Sequence, residues 1–394
     1  MLSPALAYIS FDIVPAPKGA AVHIAAFVQL LAQEFGSVHL VTVAATEPVP
    51  FTIARTQHTS LPAEGATLIH RVLNFRRHLR AWLEGKRFAI IHIRSIYEGY
   101  PIAREKDRWC DRLIFEVNGL PSIELPYRYP DVAEDAELQH KLKAQEQICL
   151  DAADVIVTPS PITRDHLIRR GVDPGKIQVI PNGVDLSIFQ YQAPQIYAAS
   201  ASLTAPNFEV CYFGTLSKWQ GVDLAVRALA MVQPRCPTRL TLIGPASKRQ
   251  ANLLDKLATK LGVRDRFTLQ APSTQAALVD QLHRSHCTIA PLTSCDRNLV
   301  QGCCPLKVLE GMASGTPVIA SDLPVVRALG TPTTHFIPVK PNSVTALAAA
   351  WVYLQHHPDY AQRLSTTARH HIEQHFTWAA AGRSLTHLYH TLLP

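Results

Sequence analysis

The sequence holds no run of about 18 uninterrupted apolar residues, so hydropathy offers no membrane-spanning helix. Its start, Met1-Leu2-Ser3-Pro4-Ala5, has neither a charged segment ahead of an apolar stretch nor a small-residue cleavage site, and the chain reads as not exported. The eight cysteines include the adjacent pair Cys303-Cys304 but form no paired Cys-x-x-Cys clusters near histidines. That pattern suggests neither a zinc site nor a disulfide framework, and a reducing cytoplasm suits it best. There is no Asp-x-Asp triplet, the usual carboxylate grip on a metal-bound diphosphate. No recognisable nucleic-acid module occurs either, and the basic residues are spread over both halves, apart from one cluster.

What is present is a globular composition, 47% hydrophobic over 394 residues. That length exceeds one core and predicts two domains of roughly 180 residues each. The net charge of +7 would suit nucleic acid, anionic lipid or a phosphorylated ligand, and composition does not choose among them.

Both halves alternate strand-like and helix-like runs. In the first, strands are expected at 5–10, 38–44, 90–93, 113–117, 155–158 and 177–180, with helices at 20–35 and 135–152. A polar segment then runs to about Asn207 with little periodicity, and the domain boundary is placed there. Alternation resumes with strands at 210–213, 240–243, 267–269 and 287–290 between helices at 222–231, 250–261 and 274–285. Such order predicts α/β architecture with parallel sheets wrapped by helices. The domains read as 1–195, 206–376 and a terminal helix at 377–394 carrying a Trp, Leu and Tyr face.

The most informative stretch is Pro305-Leu306-Lys307-Val308-Leu309-Glu310-Gly311-Met312-Ala313-Ser314-Gly315-Thr316-Pro317-Val318-Ile319-Ala320. Pro305 suits the first turn of a helix, Leu306, Leu309 and Ala313 share one face, and Gly315 can take the left-handed conformation that ends it. Free amides at the helix start and Lys307 in its first turn offer an anion site, with Glu310 one turn later able to accept from hydroxyls. An amphipathic crossover helix with a solvent-facing Lys and Glu has the same pattern.

This stretch resembles the donor-site motif of GT-B glycosyltransferases related to family 4, in which a helix glutamate holds the donor ribose within a Glu-x7-Glu pattern. Eight residues before Glu310 stands Gly302, so the first glutamate is missing, and the chain resembles those relatives with Pro-Leu-Lys or Pro-Ile-Lys before the second. The loop Gly214-Thr215-Leu216-Ser217-Lys218-Trp219-Gln220-Gly221 resembles the family's second phosphate element, usually Gly-Arg-Leu with a Lys before the last glycine. Thr215 and Gln220 replace those cations, and Lys218, Lys307 or Arg297 would have to compensate. Each charge-assisted bond to phosphate is worth about 1.5 to 3 kcal/mol, so the substitution matters.

In the first half, Pro15-Ala16-Pro17-Lys18-Gly19-Ala20 resembles the family's glycine-rich loop, where a small residue lets sugar or phosphate approach the backbone. A proline-rich connector with a solvated Lys18 reads equally well. In Glu116-Val117-Asn118-Gly119, Asn118 stands where many relatives carry a histidine; an amide cannot titrate and would orient the sugar. Glu116 is the candidate acid or base, and an Asn-Gly turn with a capped glutamate is its rival. Asp154-Val155-Ile156-Val157-Thr158-Pro159-Ser160 and Pro181-Asn182-Gly183-Val184-Asp185 resemble the end of the family's first domain. The likeness runs from about Lys18 to the C-terminus, and 51–109 is largely unmatched.

The resemblance implies two Rossmann-like domains with a cleft between them and a terminal helix returning to the first. It implies a retaining, metal-independent hexosyl transfer from a nucleoside diphosphate sugar, a co-substrate, to a hydroxyl of a glycan or glycolipid, with no resident cofactor. Catalytic roles would fall to Glu116, Asn118 and Lys307, and donor binding to Gly19, Gly214, Thr215, Lys218, Gly244, Pro305, Leu306, Lys307 and Glu310. A nucleotide-sugar epimerase and a non-catalytic nucleotide-sugar-binding subunit are the alternatives, the latter on account of Thr215, Gln220, Gly302 and Asn118. Finally, residues 71–87 pair helically spaced Val72, Phe75, Leu79, Trp82 and Leu83 with Arg71, Arg76, Arg77, Arg80, Lys86 and Arg87. A basic amphipathic helix of that kind can rest on anionic lipid at the inner membrane face, and an ordinary core helix has the same stripe.

Overall fold

The computed structural model describes residues 5–16, 18–47, 50–197, 207–233, 235–272 and 274–393. Residues 1–4, Pro17 and most of the expected connector, 198–206, lie outside them. The chain forms two compact units, Met1–Pro181 with Gln301–Cys303 and Ala379–Pro394, and Asn182–Val300 with Cys304–Trp378.

The first unit carries seven parallel strands: β1 (Leu6–Ile13), β2 (Val38–Val43), β3 (Thr56–Leu61), β4 (Phe88–Ile93), β5 (Cys110–Glu116), β6 (Val155–Thr158) and β7 (Ile177–Val179), in the order β3-β2-β1-β4-β5-β6-β7. The central strands are apolar on both faces because helices cover both, as parallel sheets require. The polar sequence Thr-Gln-His-Thr-Ser-Leu hides β3 from a hydropathy reading, yet as an edge strand it needs only β2 as partner.

The second unit has six parallel strands, β8 (Phe208–Phe213), β9 (Thr238–Ile243), β10 (Phe267–Gln270), β11 (Cys287–Ala290), β12 (Val318–Ser321) and β13 (Ile337–Val339), ordered β10-β9-β8-β11-β12-β13. Helices Val222–Val232 and Val344–His356 bury Val226, Leu229, Leu347 and Trp351 against it. Both folds are Rossmann-like: strand order reverses between β1 and β4 and again between β8 and β11, and ligands of such sheets gather at the carboxyl ends beside that reversal.

The terminal helix, Trp378–Leu392, belongs to the first unit. Gly382 lies under Leu30, where a Cβ would come within 2.9 Å of its side chain, and His390 reaches Glu34 at 2.7 Å. The helix Leu68–Leu83 buries Val72, Phe75, Leu79 and Leu83, the last three in a core cluster with Ile91, Ile93 and Phe115.

Candidate functional site

In the second unit Gly214 directly follows β8, and Gly244 directly follows β9. A Cβ on Gly244 would lie 2.0 Å from the carbonyl oxygen of Gly214, so only glycine lets the two strand ends approach this closely. The helix Leu306–Ser314 starts one residue later than expected, Pro305 being its cap residue in an extended conformation, and ends at left-handed Gly315. It places Lys307 against the loop after β8: the ammonium donates to the Tyr212 hydroxyl at 2.7 Å and to Gln220 Oε1 at 2.5 Å, and sits 4.0 Å from the Tyr212 ring centre. Tyr212 in turn donates to the carbonyl of Thr215. Far from solvated, Lys307 is 9% exposed, contrary to a plain crossover helix with outward-facing charges.

Glu310 is half-buried, and among the described residues nothing donates a hydrogen bond or an ion pair to its carboxylate. Burial pushes its pKa up to about 7 despite the nearby charge of Lys307. A desolvated carboxylate with vacant acceptor capacity is costly in isolation, and a ligand's hydroxyls would relieve it.

Lys218 and Thr215 are exposed on the same loop. The Arg297 guanidinium lies 5.0 Å from the Trp219 ring centre, and Asn298 Nδ2 donates to the carbonyls of Trp219 and Thr293 at 3.1 and 2.8 Å, tying the loop to the segment after β11. Lys307, Lys218 and Arg297 are therefore attached to one loop. Lysine at 218 and arginine at 297 flank Trp219, offering cations where Thr215 and Gln220 do not.

The first unit builds a different arrangement at its strand reversal. Glu116, at the end of β5, is 1% exposed and surrounded by donors. Tyr8 donates to Oε2 at 2.6 Å, His92 Nε2 lies 3.0 Å from the same oxygen, and His23 Nε2 and Arg94 Nε stand 2.7 and 3.2 Å from Oε1, which also accepts from Asn118. Burial works to raise the Glu116 pKa, but the charges of His23 and Arg94 and the hydrogen bonds from His23 and His92 prevail and hold it well below the usual range. Of the two readings the sequence offered for Glu116, acid or base and capped glutamate, this donor-filled carboxylate resembles the second. Its visible effect is to orient Asn118, which is half-buried at the following turn.

Arg94 also pairs with Asp12 at 3.0 Å, and Asp12 with Lys18 at 2.8 Å, just ahead of Gly19, which is exposed at the first position of the helix Gly19–Phe35. Tyr8, His23, His92, Arg94 and Asp12 went unnoticed in the sequence. The signal was there, since His92 interrupts an otherwise aliphatic strand, Ile-Ile-His-Ile, and a buried imidazole needs partners.

The missing first glutamate has a structural cause. Gly302 has φ +85°, and a Cβ there would lie 2.7 Å from Thr163 N and 2.8 Å from Ser160 Oγ. Its neighbour Gln301 is fully buried, accepting from Leu120 N and donating to Glu124 Oε1, both at 2.9 Å.

Of the two readings of the basic helix, the ordinary core stripe is the one its packing matches. Arg71 donates to the Ala63 carbonyl, Arg76 to the carbonyls of Tyr97 and Ile96 and to Gln145, Arg80 pairs with Glu105, and Arg87 with Asp111. Most of the cationic cluster is thus engaged within the unit. Exposed Ile69, Leu73 and Arg77 remain side by side at helical spacing.

Residues 17–188 match the model of Glycosyltransferase Family 4, and residues 207–357 that of Glycosyl transferases group 1. Among curated proteins, a D-inositol 3-phosphate glycosyltransferase of Thermobispora bispora is 25% identical over 339 residues, 84% of this chain and 76% of that protein. Its namesake in Nocardiopsis dassonvillei is 28% identical over 196 residues, 48% of this chain and 44% of that one. The match with several such relatives spans only about half of their length. Among solved structures, sucrose-phosphate synthase from Thermosynechococcus elongatus superposes with a TM-score of 0.80 at 21% identity, covering 98% of this chain and 99% of that one. Anabaena HepE in complex with UDP-glucose gives 0.73 at 14% identity, over 98% and 100%.

Proposed function

The chain belongs to the group 1, family 4 glycosyltransferases of GT-B fold, and from that premise we propose that it moves a sugar from a nucleoside diphosphate sugar to a hydroxyl of a glycan or glycolipid acceptor. The observation that carries the reading is Glu310, a half-buried carboxylate whose acceptor capacity is unused, one turn beyond the buried ammonium of Lys307. A nucleotide presents that pair of demands: ribose hydroxyls that donate and phosphates that carry charge.

In this reading Glu310 accepts from the ribose. Lys307, Lys218 and the backbone N–H of Leu306 face the diphosphate, Pro305 fixing the helix start, and Gly214, Thr215 and Gly244 leave room for it. As the bond from the anomeric carbon to the diphosphate oxygen breaks, Lys307 stabilises the charge left on phosphate, and no bound metal is needed for that task. The new bond forms to the acceptor oxygen on the same face, with retention, and the acceptor proton passes to the departing phosphate. Within the first unit taken by itself, Gly19 leaves the backbone open to a sugar or phosphate, and Asn118, whose amide donates to Glu116, offers its oxygen to a hydroxyl. Relatives are named for D-inositol 3-phosphate, and a solved neighbour holds UDP-glucose; a polyol or sugar hydroxyl acceptor suits both. Ile69, Leu73 and Arg77 are the residues on which peripheral contact with anionic lipid would rest, read out by vesicle flotation.

The test is a panel of nucleotide sugars scored by melting temperature and then by product. A specific donor raises the melting temperature by mass action. Transfer or hydrolysis with retained anomeric configuration, unaffected by a chelator, supports the proposal; epimerised donor favours an epimerase, and binding without turnover a non-catalytic subunit.

A further inference from the structure

Lysine carries its charge on a flexible four-carbon stem, and fixing that stem costs rotamer entropy. A lysine already fixed before its ligand arrives has met that cost in folding. Lys307 is in that condition: it is buried, its ammonium donates to the Tyr212 hydroxyl and Gln220 Oε1, and the Tyr212 ring lies beneath it. Its last side-chain atoms also pack at the strand end, where a Cβ on Gly214 would be 3.3 Å from both Cε and Nζ.

We propose that Tyr212 and Gln220 are positioning residues that preset the Lys307 ammonium for the diphosphate, so that Gln220 serves the lysine and not the ligand. The inference rests on the donor-site reading above and goes beyond it in assigning these two side chains. Tyr212 is fully buried in the central strand β8, and its hydroxyl is used twice, accepting from Lys307 and donating to the Thr215 carbonyl. It therefore couples the lysine to the backbone of the loop that would surround the phosphates. Gln220 sits at the other end of that loop, immediately before Gly221, whose left-handed φ of 66° and closeness to the Pro291 carbonyl allow no side chain. The amide of Gln220 is thus held on a backbone that has little freedom, and its oxygen is directed at Nζ.

A sharp consequence follows for position 220. If Gln220 were a weakened phosphate ligand, Gln220→Lys would add a cation to the site and tighten binding. If its oxygen anchors Lys307, the same change puts a second ammonium within hydrogen-bond distance of the first, and mutual repulsion displaces both.

The experiment titrates UDP, ADP and GDP against the wild type by calorimetry, then carries the tightest binder to Tyr212→Phe, Gln220→Ala, Gln220→Lys, Lys307→Ala and the doubles Tyr212→Phe/Lys307→Ala and Gln220→Ala/Lys307→Ala. Expected are losses of about three- to tenfold for Tyr212→Phe and Gln220→Ala, which disappear in the Lys307→Ala background, as coupled residues require. Gln220→Lys is expected to weaken binding. Equal losses with and without Lys307, or tighter binding by Gln220→Lys, overturn the assignment while leaving the donor site standing. Absence of binding by the wild type to all three diphosphates sinks the donor-site reading and this inference together. Gln220 lies near the surface, so its variants decide the matter even if Tyr212→Phe is unstable.

Discussion

The hydroxyl of Tyr389 lies 2.8 Å from Nδ1 of His92, joining two residues 297 positions apart. His92 presents its other nitrogen to Glu116, an acceptor, so Nε2 carries the proton and Nδ1 receives the hydrogen of Tyr389. Burial lowers the His92 pKa, against the pull of Glu116, which keeps the ring neutral and this polarity of bonds intact. The terminal helix is thereby fastened to the polar centre of the first unit. Tyr389→Phe keeps the ring and leaves a buried nitrogen unsatisfied, and a loss of about 1 to 3 kcal/mol is expected in denaturant unfolding. An unchanged midpoint would show that the bond contributes nothing.

Glu116 makes the same centre sensitive to acid. Its folded pKa is depressed below the ordinary 4.5, so its contribution is complete above that value and is lost as pH falls through the folded pKa. Glu116→Gln removes the charge that His23, His92 and Arg94 face, and breaking a buried pair from one side costs about 3 to 5 kcal/mol. The deficit against wild type is expected at pH 7 and should narrow only below pH 4.5. A deficit already vanishing at pH 6 would contradict an ionised, depressed carboxyl.

Glu310 has the opposite sign. Its pKa rises from 4.5 to about 7 on folding, so ionising it weighs against the native state as pH climbs through that interval, and the penalty is complete above pH 7. Glu310→Gln should therefore melt higher than wild type at pH 8 and close to it at pH 4. Donor affinity moves the other way. In the proposed donor site the ionised carboxylate is the better acceptor for ribose hydroxyls, so wild-type affinity for a nucleotide sugar should weaken as pH drops below about 7. Glu310→Ala should cost about 1 to 3 kcal/mol of donor binding at pH 8. Calorimetry of the donor at pH 6 and 8, in wild type and variants, checks both directions.

Gly302 stands where the resembled motif has glutamate. Gly302→Glu places a side chain on a left-handed backbone, costing about 1 to 2 kcal/mol before the contacts with Thr163 and Ser160 are counted. Marked destabilisation without recovered donor affinity is expected. A stable variant with tighter donor binding would mean that the position remains open to its customary role.

The expected parallel sheets and the repeated strand–helix order were legible because aliphatic runs such as those of β4 and β12 declare burial through composition alone. So was the helix of Lys307 and Glu310, whose glycine stop and apolar spacing are local. β3 escaped because an edge strand needs no apolar run, and helices Val344–His356 and Pro358–His375 followed the last motif unannounced. Glu116 was noticed for its charge but its surroundings were not, since the donors around it besides its neighbour Asn118 come from positions 8, 23, 92 and 94.

Local order thus determined the elements, their succession and the residues proposed to hold a nucleotide sugar, because hydrophobic period, glycine stops and helix starts act over a few residues. Which carboxylate is saturated and which retains vacant acceptors was decided only in three dimensions. The pKa of Glu116 and that of Glu310 part company because one is ringed by donors from distant positions, Arg94 among them, and the other by little beyond Lys307, and desolvation and charge act through space, not along the chain.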